Sequence, residues 1–110
     1  METLVVGDVV VVAFPYSDFS GFKRRPALVI SSKMGDDYLL CAITTRTFWD
    51  NWAIDLTDAD FANGKLESDS YIRPNKIGTF DQKTILYKIG SVKAKKMEQA
   101  IKASHSNIGK

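Results

Sequence analysis

The feature that most constrains this chain is a series of short, β-branched apolar segments separated by turn residues. Val9 to Phe14 and Tyr38 to Ile43 are six apolar residues each, and no run is longer. A bilayer-spanning helix needs about 20 such residues, whereas buried strands need about 4–8. Val9 to Phe14 therefore reads as a buried strand ended by Pro15. Ala27 to Ile30 reads as a second, with Pro26 at its entrance, where a missing N–H does least harm. Met34-Gly35-Asp36-Asp37 is a turn signal and Tyr38 to Thr44 a third strand, so strands two and three are predicted to form a hairpin. Ser17 to Lys23 reads as a loop, and Thr57 to Asp69 as a loop or a single helical turn. Ala53 to Leu56, Ser70 to Ile72, Ile77 to Phe80 and Ile85 to Gly90 complete the strands.

From Ser91 the period changes. Ala94, Met97, Ala100, Ile101 and Ser104 fall on one helical face, with Ser91 placed to cap its start and Asn107 and Gly109 to end it. Ser104 is the weakest member of that face, and fraying is expected there. The predicted fold is mainly β: one domain over residues 1–110, a small twisted barrel-like sheet, and a C-terminal helix. Closing the sheet would hide its edges.

Composition narrows the function. At 45% apolar and 25% charged residues the chain is ordinary globular material. Its only cysteine is Cys41 and its only histidine is His105. A disulfide framework, a multi-thiolate zinc site and any mechanism needing two histidines of one chain are thereby excluded. Cys41 lies in an apolar strand and reads as inert core, and His105 as a solvated residue near the C-terminus. No cofactor and no bound metal are expected. Glu2 and the Gly7-Asp8 pair break any opening basic-then-apolar segment, so a cytoplasmic protein away from the membrane is expected.

The net charge of +2 hides an uneven spread. Residues 33–82 carry nine acids and five bases, and residues 83–110 carry seven lysines and one acid. Lys93, Lys95, Lys96 and Lys102 read as the wet face of the helix, since a nucleic-acid face also needs arginine or aromatic partners. The acidic stretch Asp50 to Asp69 reads as solvated surface.

Three arginine-containing spots could carry chemistry. Lys23-Arg24-Arg25-Pro26 stands where a polar loop meets a buried strand. Thr44-Thr45-Arg46-Thr47 ends the third strand, and Arg73-Pro74-Asn75-Lys76 holds an arginine extended before proline. If the barrel gathers these strand ends, Arg25, Thr44 and Arg73 surround one pocket. Arginines and hydroxyls bind a phosphodiester and stabilise the added charge of its transition state. RNA supplies its own nucleophile, the 2′-OH, so a protein without a strong nucleophile can still cut it by positioning and charge. Phe14, Tyr16, Phe19 and Phe22 lie in or beside the first loop and Phe48, Trp49 and Trp52 follow the Thr-rich segment, where aromatics can stack unpaired bases; Phe14 and Trp52 read chiefly as core, and Tyr16, Phe19, Phe48 and Trp49 suit either role.

The ordered set of motifs resembles the PemK/MazF-type toxins. It comprises Gly7-Asp8-Val9-Val10, Phe14-Pro15-Tyr16-Ser17-Asp18-Phe19-Ser20-Gly21 and Arg24-Arg25-Pro26-Ala27-Leu28-Val29-Ile30, then Cys41-Ala42-Ile43-Thr44. Gly64-Lys65-Leu66, Ser70 to Ile77, Thr79-Phe80-Asp81 and Ile89-Gly90-Ser91-Val92 follow in order. The resemblance implies a small SH3-like barrel of the CcdB/PemK/MazF type, acting as a homodimer and blocked by a cognate antitoxin. It implies a metal-independent endoribonuclease that cuts single-stranded mRNA at short motifs, leaving 2′,3′-cyclic phosphate and 5′-OH ends. The family's catalytic arginine and threonine fall on Arg25 and Thr44. Tyr16, Ser17, Asp18, Ser20, Arg24, Thr45, Arg46, Arg73, Asn75 and Lys76 become the expected RNA-binding residues.

This sequence departs from the PemK pattern in two places. The Arg-x-Asp pair that serves acid and base in that branch is Arg73-Pro74-Asn75 here, and an amide is no general base at neutral pH. The PemK-type histidine of the first loop is also absent. The reading adopted therefore rests catalysis on Arg25 and Thr44 and gives Asn75 a binding role. A non-catalytic nucleic-acid-binding barrel and a poison of a protein target such as gyrase are the alternatives.

Overall fold

A computed structural model describes residues 3–15, 18, 20–45 and 52–108 of the chain. The strands are β1 (Asp8–Pro15), β2 (Phe22–Val29), β3 (Asp37–Thr44), β4 (Ile54–Leu56), β5 (Phe61–Asn63), β6 (Ser70–Asp81) and β7 (Ile85–Val92). Helix α1 (Ala94–Ile108) follows, and single 3-10 turns lie at Asp58–Asp60 and Gln82–Thr84. The strands form one antiparallel sheet in the order β4-β6-β3-β2-β1-β7-β5. The sheet curls into a half-barrel, with β4 and β5 at its edges. No helix among the described residues is long and apolar enough to cross a membrane.

Both faces of the central strands are buried, which explains why their sequences are continuously apolar. Val9, Leu28, Cys41, Ile43 and Ile72 face one cluster, closed by Met97 and Ala100 of α1. Their neighbours Val10, Val12, Ala27, Val29, Tyr38 and Leu40 face a second, closed by Leu4 and Ile85. Successive side chains of a strand point to opposite faces, so a run such as Val9 to Val12 feeds both clusters. Phe14 meets Phe80 edge-on at the rim of the second cluster, with ring centroids 5.1 Å apart.

The structure differs from the sequence expectation at several boundaries. β2 begins at Phe22, inside the expected loop, because Phe22 to Pro26 pair with β1. Ser70 to Ile72 and Ile77 to Phe80 are one strand, β6, interrupted by a bulge. The segment 57–69 holds the additional strand β5 besides its helical turn. Ser91 belongs to β7 and accepts a hydrogen bond from the Asn63 side chain at 2.8 Å, so it does not cap the helix. α1 begins at Ala94 and runs past Ser104 to Ile108, taking in His105. Gly109 lies outside the described residues.

Two glycines let β5 pass against β7. Gly64 has φ +71°, and a Cβ there would overlap the Ile89 carbonyl; one on Gly90 would overlap the Asn63 carbonyl. Lys96 also departs from expectation. Rather than standing in solvent with Lys93, Lys95 and Lys102, it lies between Asp55 Oδ1 at 3.8 Å and Asp60 Oδ1 at 3.5 Å and donates to the Asp55 carbonyl at 2.9 Å. It ties α1 to the acidic segment before β5.

Candidate nucleic-acid interface

The site is built on a strand with two unlike halves. Ala27 to Val29 are buried and pair with both β1 and β3, whereas Phe22 to Arg25 are exposed. Among the described residues, β3 pairs with β2 only at Ala27, Leu28 and Val29. Among the described residues the first half of β2 therefore pairs only with the end of β1, as a two-stranded ribbon.

Register brings the expected catalytic pair together. Ala27 pairs with Ala42 and Val29 with Leu40, so Arg25 and Thr44 each stand two residues beyond the last paired position, on the same side of their strands as Ala27 and Ala42. β6 lies on the far side of β3, with Tyr71 opposite Thr44 and Arg73 opposite Ala42. Residues opposite one another across a ladder share a face, as do alternate residues along a strand. Arg25, Thr44 and Arg73 therefore occupy one face of three adjacent strands, at the end of the second core cluster. Arg25 is exposed, Thr44 is half-buried, and Arg73 is only 5% exposed. Arg73 thus lies inside the sheet rather than at the surface. Thr45, just past the strand, is exposed.

Pro74, Asn75 and Lys76 form the bulge. Cys41 pairs with Ile77 and Ala42 with Arg73, leaving those three residues of β6 without a position opposite them on β3. A proline inside a strand run is a signal of such a bulge. Pro74 is buried, while Asn75 and Lys76 are exposed beside the Arg73 position. The Cys41 thiol donates to the Arg73 carbonyl at 3.0 Å, holding the bulge at its root. Burial pushes that thiol up to about 12, against a weaker opposing effect of the same hydrogen bond.

Arg24 is exposed but alternates with Arg25, so it points to the opposite face of the ribbon. In the β1–β2 loop, Asp18 Oδ1 accepts from the Ser20 hydroxyl at 2.7 Å and the Ser20 amide at 3.0 Å. These two bonds, the hydroxyl first, hold the Asp18 carboxyl below the ordinary carboxylate range. Tyr16, Ser17 and Arg46, with Phe19, Phe48 and Trp49, lie outside the described residues. Among the described residues, no three His, Cys, Asp or Glu side chains gather as a metal-binding group.

The arrangement offers exposed cations, a hydroxyl at a strand end and a buried guanidinium, a set suited to a phosphodiester. No curated protein sequence matches the chain. Its fold is similar to that of MazF in a MazE–MazF crystal structure from Deinococcus radiodurans, with TM-score 0.82 and 16% identity over 99% of this chain and 98% of the other. A second crystal form of that complex gives TM-score 0.80 and 18% identity over 98% of each chain. An endoribonuclease in complex with its cognate antitoxin, from a mycobacterial species, gives 0.77 and 16% over 96% of this chain and 95% of the other. The sequence itself matches, over residues 6–105, the profile of the PemK-like, MazF-like toxins of type II toxin–antitoxin systems. That span holds every strand, most of α1 and all the candidate site residues, and by it the chain belongs to the PemK-like, MazF-like toxin family.

Proposed function

We propose that this toxin is a sequence-selective endoribonuclease of single-stranded mRNA. The supporting observation is the register that puts Arg25 and Thr44 on one face, each two residues beyond the paired Ala27 and Ala42, with Arg73 opposite Ala42. The substrate's 2′-OH attacks the adjacent phosphorus and the bond to O5′ breaks, giving a 2′,3′-cyclic phosphate and a 5′-OH. The 2′-OH gives its proton to water; Arg25 stabilises the charge of the pentacoordinate phosphate, delivers a proton to the leaving oxygen and regains one from water. Thr44 hydrogen-bonds the scissile phosphate. No metal takes part in this scheme. Arg24, Thr45, Asn75 and Lys76 hold the flanking nucleotides, together with Tyr16, Ser17, Asp18, Ser20 and Arg46, and Arg73 adds positive potential from within the sheet. In this reading residues 1–110 act as one domain, paired as a homodimer in the cytoplasm and held in check by a cognate antitoxin. The solved relatives in complex with MazE or with a cognate antitoxin support that partner.

The test is a cleavage assay on mixed single-stranded RNA in chelator. The parent is expected to cut, leaving cyclic phosphate and 5′-OH ends. Arg25→Ala is expected to lose about 10²–10³ in rate, the loss typical of removing one preorganised donor to transition-state charge. RNA that is bound yet stays whole under every condition would replace this reading with that of a non-catalytic binder.

A further inference from the structure

The ribbon carries more than the catalytic face. Phe22 is 71% exposed, more than any other large hydrophobic of the described core and surface. It lies on β2 two positions before Arg24, so both side chains project from the same face, opposite to Lys23 and Arg25. Lys23, Arg24 and Arg25 are all exposed, and none makes an ion pair among the described residues. An aromatic ring in solvent beside a row of uncompensated cations suits one class of ligand. Unpaired bases stack on aromatic faces, and guanidinium groups hold the phosphates between them. A protein partner covering Phe22 alone would leave the cations without anions. A simple anion would leave Phe22 in water. Between Phe22 and Pro26 β2 pairs only with β1 among the described residues, and a strand bound at Arg25 would reach the other face of the ribbon past that edge.

We propose that Phe22 and Arg24 form a second RNA subsite on the outer face of the β1–β2 ribbon, Phe22 stacking a base and Arg24 holding the phosphate beside it. This subsite rests on the endoribonuclease reading, because it extends the path of the strand whose scissile phosphate lies at Arg25. It is a binding site, and the residues in it take no part in bond breaking.

The experiment measures binding of a 2′-O-methyl RNA, which has no free 2′-OH and stays whole, by fluorescence anisotropy. The parent, Phe22→Ala, Phe22→Leu and Phe22→Trp are compared, with thermal melts of each. Phe22→Ala and Phe22→Leu are expected to weaken binding about tenfold, within the range of one lost stacked base. Their melting temperatures should hold, since the side chain is in solvent. Phe22→Trp is expected to keep the affinity and to lose emission when RNA is added. Unchanged affinity in Phe22→Leu, or an emission from Phe22→Trp that RNA leaves unaltered relative to the parent, overturns the subsite. If the parent itself fails to bind the RNA, the endoribonuclease reading falls first and the subsite with it. If the parent binds and Phe22→Ala binds equally, only the subsite falls.

Discussion

Cys41 is fully buried, and its thiol hydrogen-bonds the Arg73 carbonyl at the root of the bulge. Its folded value of about 12 lies above the unperturbed 9.0, chiefly because burial disfavours the thiolate. Between those values the unfolded chain loses the proton and the folded chain keeps it. Stability is therefore fully retained below about pH 9 and declines as pH rises toward 12, by at most about 1.4 kcal/mol per pH unit from this group. Urea unfolding at pH 8 and at pH 10.5 should show the parent losing more stability than Cys41→Ala does between the same two points. Equal losses would mean the thiol does not titrate as its burial requires. Single residues were unevenly legible in the sequence. The burial of Cys41 follows from its apolar neighbours, whereas the roles proposed for Arg25 and Thr44 come from the family resemblance. The deep burial of Arg73 does not follow from its neighbours, because nothing in Arg73-Pro74-Asn75 tells that Pro74 turns inward and the next two residues outward. Phe22 was legible as an aromatic of the first loop, but not as a strand residue, because the Ser, Asp and Gly before it made its segment read as loop.

Elements were legible where one rule decided them and illegible where tertiary pairing did. The continuous apolar runs gave β1, the inner half of β2 and β3, since each face of those strands has its own cluster. The helical period gave α1 but misplaced its start, because Ser91 is drawn into β7 by its pairing with Asp8 and Asn63. What fixes the start of α1 is Asp60. Its carbonyl accepts from the Lys93 amide at 2.8 Å, and its carboxylate accepts from the Thr57 amide at 2.8 Å while facing Lys96 at 3.5 Å. Removing the carboxylate leaves the Thr57 amide without its partner and takes one anion from Lys96. Asp60→Ala is expected to destabilise the fold by about 1–2 kcal/mol, as loss of a capping side chain does. Lys95→Ala, on the exposed side of the same helix, is expected to change stability by less than about 0.5 kcal/mol. Chemical unfolding of the two variants beside the parent decides it, and similar midpoints for both would show that α1 is held by its apolar face alone.

At the scale of the molecule, the distribution of charge matters more than its sum. The seven lysines of residues 83–110 outnumber the cations of the ribbon, yet they are poor candidates for holding RNA. Lys88 is paired with the buried Asp8 at 3.1 Å, Lys96 with Asp55 and Asp60, and Lys102 with Glu98 at 3.3 Å. Lys23, Arg24 and Arg25 are consecutive, exposed and outside any ion pair among the described residues, on the part of β2 that runs on from its pairing with β3. Each cation that neutralises a phosphate of a single strand releases counterions and steepens the salt dependence of binding by about 0.7 in log–log slope. Measured with uncleavable RNA from about 50 to 200 mM salt, Lys23→Gln and Arg24→Gln are each expected to flatten the slope by about that amount. Lys93→Gln, just before the helix, and Lys95→Gln, in its first turn, are expected to leave both slope and affinity in place. If the helix variants flatten the slope and the ribbon variants do not, the RNA path lies along the basic C-terminal end, and the interface assigned to β2, β3 and β6 is wrong. Uniform flattening by all four would mean that the strand is held by the overall field rather than by a built groove.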